Sequence, residues 1–233
     1  MAVMTLATGA CALPHPEKVA TGGEDAYFIA TNNLAMGIAD GVGGWRESGV
    51  DPGEYSRSLM RTACSFFEAS SSVCDSLVTM KEWEEWARQS LAVAHAKTRL
   101  PGSSTACVLV LNPERNWLSA ANLGDSGFVV IRNGTILFQT PSLQHFFDCP
   151  FQFGAFPEYV EATDYPSDAQ TYSLNVMAGD IIIMGSDGLF DNCPLEELVS
   201  LLPDTDEDVG IAAERIAKLA RLHSGATRFQ VLF

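Results

Sequence analysis

Ala39-Asp40-Gly41-Val42-Gly43-Gly44-Trp45 is the stretch on which the reading of this chain turns. Before it stands Leu34-Ala35-Met36-Gly37-Ile38, apolar or small throughout, the pattern of a buried strand. A carboxylate closes that strand, and three glycines and a tryptophan follow it. An acid at the mouth of a buried strand, with backbone free to approach a ligand, suits a hard cation that takes oxygen donors. Asp-Gly is also ordinary turn punctuation, so the reading depends on whether other acids close strands in the same way.

Working outward, residues 26–31 read as a second strand, and Asn32-Asn33 turns it into the first to make a β-hairpin. The hairpin puts Glu24 and Asp40 at the same end. Upstream, Pro14 and Pro16 keep residues 1–20 irregular. Downstream, Tyr55, Leu59, Ala63, Phe66 and Phe67 recur at helical spacing. Trp83, Trp86, Ala87, Ser90, Leu91 and Ala94 do the same over residues 81–98. The tryptophans are expected in the core and His95 on the surface.

The period then changes. Segments 105–111, 117–122, 127–132 and 135–139 are short, β-rich and separated by turn signals, the pattern of an antiparallel meander. Residues 141–167 hold four prolines and form a long irregular stretch, expected to be a functional loop or flap. Segments 172–176 and 180–186 read as another strand pair, and 194–202 and 206–223 as helices. The expected fold is α+β, a sandwich of two antiparallel sheets flanked by helices, in one domain over residues 1–233.

Composition limits the function. Apolar residues make up 47% and charged residues 18% of the 233, as in a globular protein. A formal charge of −15 argues against broad affinity for nucleic acid or anionic lipid, but allows a phosphorylated substrate if bound cations supply the attraction. The six cysteines include no C-x-x-C pair, which disfavours a zinc site or a disulfide framework and fits a reducing compartment. No apolar run approaches the ~20 residues of a membrane span, and residues 1–12 lack the basic residues of a targeting segment. A monomer is expected.

Two further strands end in acids. Residues 117–123 run into Gly124-Asp125-Ser126-Gly127, and Ile181-Ile182-Ile183-Met184 into Gly185-Ser186-Asp187-Gly188-Leu189-Phe190-Asp191-Asn192. Asp187 and Asp191, four apart at the start of a short helical segment, can face one point. With Glu24 and Asp40 these make five carboxylates at strand ends, with no Lys or Arg in the turns themselves. Such a gathering is costly unless cations neutralise it. Oxygen donors without His or Cys select Mg²⁺ or Mn²⁺ over Zn²⁺ or Cu²⁺.

Glu24-Asp25-Ala26, Asp40-Gly41-Val42-Gly43-Gly44-Trp45, Gly102-Ser103-Ser104-Thr105-Ala106, Asn122-Leu123-Gly124-Asp125-Ser126-Gly127 and Ser186-Asp187-Gly188-Leu189-Phe190-Asp191-Asn192 resemble the motifs of the metal-dependent, type-2C Ser/Thr protein phosphatases. They fall in that family's order over roughly residues 20–225. Residues 14–25 and 144–152 are most similar to its chloroplast photosystem-II core phosphatase branch, with mitochondrial and cytoplasmic members as alternatives. The resemblance implies an α-β-β-α sandwich with a centre of two, or three, Mg²⁺ or Mn²⁺ ions, acting on phosphorylated proteins. By it, Asp40 bridges two ions, the Gly41 carbonyl serves one of them, Glu24 holds the shell of the second, partly through water, Asp187 ligates the first, and Asp125 and Asp191 belong to a weaker third site. Catalysis then falls to Asp40 and Asp187, through a water activated between two cations.

The sequence departs from the family pattern at three places. Val42 stands where the archetype has a histidine that protonates the leaving group. Lys18 is the only cation in residues 13–23, where the archetype has a phosphate-binding arginine. Residues 224–233 lack the family's terminal acid, so the final strand is expected to be missing. A catalytically impaired, phosphoprotein-binding module is the alternative this last departure motivates. Phosphotransfer through an aspartyl nucleophile is disfavoured, because Asp40-Gly41-Val42 lacks the second acid of Asp-x-Asp.

Overall fold

The computed structural model describes residues 4–69, 76–155, 163–203 and 207–225. Strands β1 (Asp25–Ile29) and β2 (Ala35–Asp40) form the expected hairpin, with Asp25 opposite Asp40. Its turn is set by asparagine chemistry: Asn33 takes a left-handed φ of 54°, and the Asn32 Oδ1 accepts from the Leu34 N–H. Helices α1 (Pro52–Ala69) and α2 (Met80–Lys97) follow. Thr79 and Glu82 close the start of α2 in a reciprocal capping box.

The remaining strands are β3 (Ser103–Ser104), β4 (Ala106–Asn112), β5 (Trp117–Leu123), β6 (Gly127–Arg132), β7 (Thr135–Gln139), β8 (Gln144–Phe146), β9 (Cys149–Pro150), β10 (Phe153–Gly154), β11 (Gln170–Asn175) and β12 (Ile181–Gly185). Helices α3 (Asp187–Phe190), α4 (Leu195–Ser200) and α5 (Val209–Gly225) complete the described elements. One antiparallel sheet runs in the order β1-β2-β4-β5-β11 and a second in the order β12-β6-β7, with β3–β10 and β8–β9 as small pairs.

Side-chain alternation divides the core into layers. Ala35 and Ala39 of β2, with Ala106, Val108 and Val110 of β4, pack against Tyr55, Leu59, Trp83 and Trp86 of the first two helices. Their neighbours Met36, Ile38, Cys107, Leu109 and Leu111 meet Phe128, Val130, Ile182 and Met184 of the second sheet. The far face of that sheet, through Ile183, meets Leu189, Leu198 and Ile216. The order is helix, sheet, sheet, helix, as expected.

Three expectations need correction. The meander is broken: β4 and β5 pair in the large sheet and β6 and β7 in the small one, so Gly124-Asp125-Ser126 carries the chain between sheets. Segments 172–176 and 180–186 are not paired with each other; β11 lies on β5 and β12 on β6. Local periodicity identifies a strand but not the distant strand that accepts its hydrogen bonds. His95 is half-buried, its ring stacked on Phe153 at 4.9 Å and its Nδ1 3.4 Å from the Tyr55 hydroxyl. The expected flap holds β8, β9 and β10, with residues 156–162 outside the described part. The expectation of a missing final strand concerns residues beyond 225, also outside it.

This topology brings the acidic strand ends to one rim. Strands β2 and β5 are both antiparallel to β4, so they end on the same side. Strand β6 starts there, and Gly185 of β12 pairs with Gly127 at its start. Asp40, Asp125 and Asp187 therefore stand at a common edge of the sandwich.

Candidate active site

Asp40 is fixed from its backbone outward. Its N–H donates to the Thr105 hydroxyl at 3.0 Å, and its carbonyl accepts from the Thr105 N–H at 2.9 Å. The Thr105 hydroxyl in turn lies 2.7 Å from that of Ser126, on the turn that bears Asp125. The carboxyls of Asp25 and Asp187 lie near enough to that of Asp40 to act on it. Burial pushes the Asp40 pKa well above the usual carboxylate range, and the charges of Asp25 and Asp187 push it further.

The surrounding acids show the same strain. Asp25 keeps a solvent-exposed edge, and the Ser186 hydroxyl donates to its Oδ2 at 3.3 Å. Even so, loss of hydration raises its pKa; Asp187 adds to the rise, while Asp40, Ser186 and Lys18 oppose it. Asp125 is raised by burial and then by Asp187, against the Gln144 amide, which donates to its Oδ2 at 3.1 Å. Asp191, whose N–H bonds the Asp187 carbonyl at 2.8 Å, is raised by burial, then by Asp187 and Asp148.

Among the described residues no group of three or more His, Cys, Asp or Glu side chains is placed to hold a metal ion. The Asp25, Asp40 and Asp187 carboxyls instead crowd within electrostatic reach of one another. Three such groups ionise together only if positive charge joins them, and a donor set made entirely of carboxylate oxygens fits Mg²⁺ or Mn²⁺. The residues present fit such an ion.

Glu24 lies elsewhere. Alternation along β1 puts it on the face opposite Asp25, 6% exposed and ion-paired to both Lys18 and Arg46. Its carbonyl accepts from the Gly41 N–H at 3.1 Å and the Ser56 hydroxyl at 2.5 Å. Gly41 is packed against this junction: a Cβ there would lie 2.7 Å from the Pro52 carbonyl oxygen and 2.9 Å from that of Glu24. The expected hairpin correctly placed Glu24 and Asp40 at one end, but an end has two faces.

Sequence reasoning passed over Asp25 and Arg46. Asp25 was adjacent to a quoted acid, and only strand parity separates the two. Arg46 follows Trp45 in the 3-10 turn Gly43–Ser48, downstream of the acids rather than upstream where a cation was sought. With Lys18 it corrects the expectation of acids without a basic partner. Trp45 anchors that turn, its Nε1 donating to the Ser103 hydroxyl at 2.7 Å, which donates to Gln152 Oε1 at 2.5 Å.

The family profile described as Stage II sporulation protein E (SpoIIE) matches residues 30–225. A probable protein phosphatase 2C 80 of Arabidopsis thaliana is 42% identical over 94% of this chain and 50% of its own length. The PTC7 protein phosphatase homologue of Homo sapiens is 39% identical over 88% of this chain and 68% of its own. In three dimensions the chain is similar to the photosystem II phosphatase PBCP, with a TM-score of 0.81 and 36% identity over 93% of this chain and 79% of that one. An α-β-β-α sandwich with an acidic rim thus has close relatives of one kind. The chain belongs to the 2C-type (PPM) protein phosphatase family, whose members are metal-dependent. It spans about half the length of the Arabidopsis relative. No helix among the described residues is long and apolar enough to cross a membrane.

Proposed function

We propose that this chain is a metal-dependent protein serine/threonine phosphatase that hydrolyses phosphoseryl and phosphothreonyl residues with two or three Mg²⁺ or Mn²⁺ ions. The observation that carries the reading is the gathering of Asp25, Asp40 and Asp187 at the rim where strands from both sheets end, Asp25 directly opposite Asp40 in the hairpin. Asp40, Asp187, Asp25 and the Gly41 carbonyl would hold the principal ions, and Asp125 and Asp191 a further one. When bound, the ions supply Lewis-acid polarisation of the phosphoryl group and a nucleophilic water at neutral pH.

The chain's own residues do the rest. Thr105 and Ser126 hold the end of β2 against the turn at Asp125, which fixes where the carboxyls meet. Glu24 holds Lys18 and Arg46, of which Lys18 lies near enough to Asp25 to act on it, and the two cations would receive phosphoryl oxygens; arginine is the better match to two oxygens at once. Val42 places no proton donor beside Asp40. Likeness to a photosystem II phosphatase supports a chloroplast setting and a phosphorylated membrane-complex subunit as substrate.

The test is release of phosphate from a phosphothreonine peptide by the purified chain with Mn²⁺, alongside Asp40→Asn and Asp187→Asn. Loss of turnover in both variants and on chelation is expected. Turnover indifferent to chelation and to both substitutions would contradict the reading.

A further inference from the structure

Phe146 and Phe147 stand at the tip of the β8–β9 hairpin, 70% and 94% exposed. A lone exposed apolar residue needs no explanation, but two adjacent phenylalanines held out on a braced hairpin do. The bracing is specific. Gln144 pairs with Pro150 and Phe146 with Cys149, while Asp148 takes a left-handed φ of 60° to close the turn. His145 stacks on Phe151 at 4.0 Å, and its Nε2 lies 3.1 Å from Asp164 Oδ2.

The base of the hairpin is tied to the acidic rim. The Leu143 N–H donates to the Gly124 carbonyl at 3.0 Å, and the Gln144 amide reaches Asp125. At the tip, Asp148 stands near enough to Asp191 to act on it. Phe146 and Phe147 follow Gln144 by two and three residues, about 7–10 Å at strand rise. An extended peptide covers that distance in about two or three residues.

We propose that Phe146 and Phe147 dock the polypeptide that carries the phosphorylated residue, taking an apolar side chain about two or three positions from it. The proposal rests on the phosphatase reading and names the kind of substrate that site takes. Exposed aromatic rings on a braced backbone supply large contact area with only two side-chain torsions each to fix, as at other recognition surfaces. A formal charge of −15, with Asp148 and the acidic rim beside the rings, turns the tip away from an anionic bilayer and towards a polypeptide.

The experiment compares two phosphothreonine peptides that differ only in Leu or Ser at the positions two and three residues from the phosphothreonine. The chain is assayed with Mn²⁺ as wild type, Phe147→Ser and the Phe146→Ser/Phe147→Ser pair. The wild type is expected to favour the leucine peptide about tenfold in kcat/KM, and the double variant to lower that ratio towards one. Equal use of both peptides by the wild type overturns the proposal, as does an unchanged ratio in the double variant. If no peptide and no p-nitrophenyl phosphate is turned over, the phosphatase reading has failed; binding of the same fluorescent peptides, read by anisotropy, then decides the docking proposal by the same ratio. Sedimentation showing a wild-type dimer and a monomeric double variant would assign the tip to self-association instead. Flotation with anionic vesicles lost on Phe147→Ser would assign it to lipid. Either result overturns the proposal.

Discussion

Glu24 and Asp25 are neighbours in the chain, one just before and one opening the same strand, yet their electrostatic settings are opposite. Glu24 is buried between two cations. Asp25 meets two further acids and is pushed towards its protonated form. Nothing in their side-chain chemistry distinguishes them. The difference comes from strand alternation: one residue faces the turn that carries Lys18 and α1, the other the gap between the sheets where Asp187 arrives. A rim that stabilises one carboxylate and strains the next can hold substrate with the first and cations with the second.

The largest expected effect comes from removing the strained side. Asp40→Asn should lower turnover by at least about 100-fold, as loss of a ligand or its orienting partner does elsewhere, while raising the thermal midpoint of the metal-free chain. A lower midpoint would mean that Asp40 stabilises the fold rather than straining it. Glu24→Gln should act in the other direction. It leaves Lys18 and Arg46 facing a neutral amide, at a cost of roughly 1–3 kcal/mol, because both cations are about a third exposed. Urea unfolding of the two variants side by side gives the sign of each.

Arg46→Ala should raise KM for a phosphopeptide about tenfold, with Arg46→Lys recovering part of the loss, since a point charge replaces a bidentate fork. Equal KM in all three proteins would remove Arg46 from substrate binding. A smaller effect is the pH dependence of metal-free stability. In the folded state Asp40, Asp25, Asp125 and Asp191 bind protons more tightly than at their ordinary value of 3.8. The folded chain therefore carries more protons than the unfolded one above that pH, and stability falls as pH rises through the raised values. Thermal midpoints without metal should decline as pH rises above 3.8, and the decline should shrink in Asp40→Asn.

Much of this was legible in the sequence, for reasons that separate local from distant effects. The 25–40 hairpin and both early helices follow from Asn32-Asn33 and from side-chain period. Asp40, Asp125 and Asp187 were legible because each follows a buried strand. Strand partners were not, since β5 and β6 are consecutive yet belong to different sheets. The parity of Glu24 and Asp25 was hidden for the same reason: which face is inward depends on what packs there. Arg46 was missed because a turn brings it back to an acid that lies 22 residues earlier.

The central claim is that Asp25, Asp40 and Asp187 meet at a point that divalent cations relieve. Calorimetric titration of the chelator-treated chain with Mn²⁺, paired with its thermal midpoint at about pH 7.5, tests it directly. The account predicts saturable binding that raises the midpoint in the wild type, with both effects weakened about 10–100-fold in apparent affinity by Asp40→Asn. A wild-type chain that takes up no Mn²⁺, or one whose uptake is unchanged by Asp40→Asn, would contradict it.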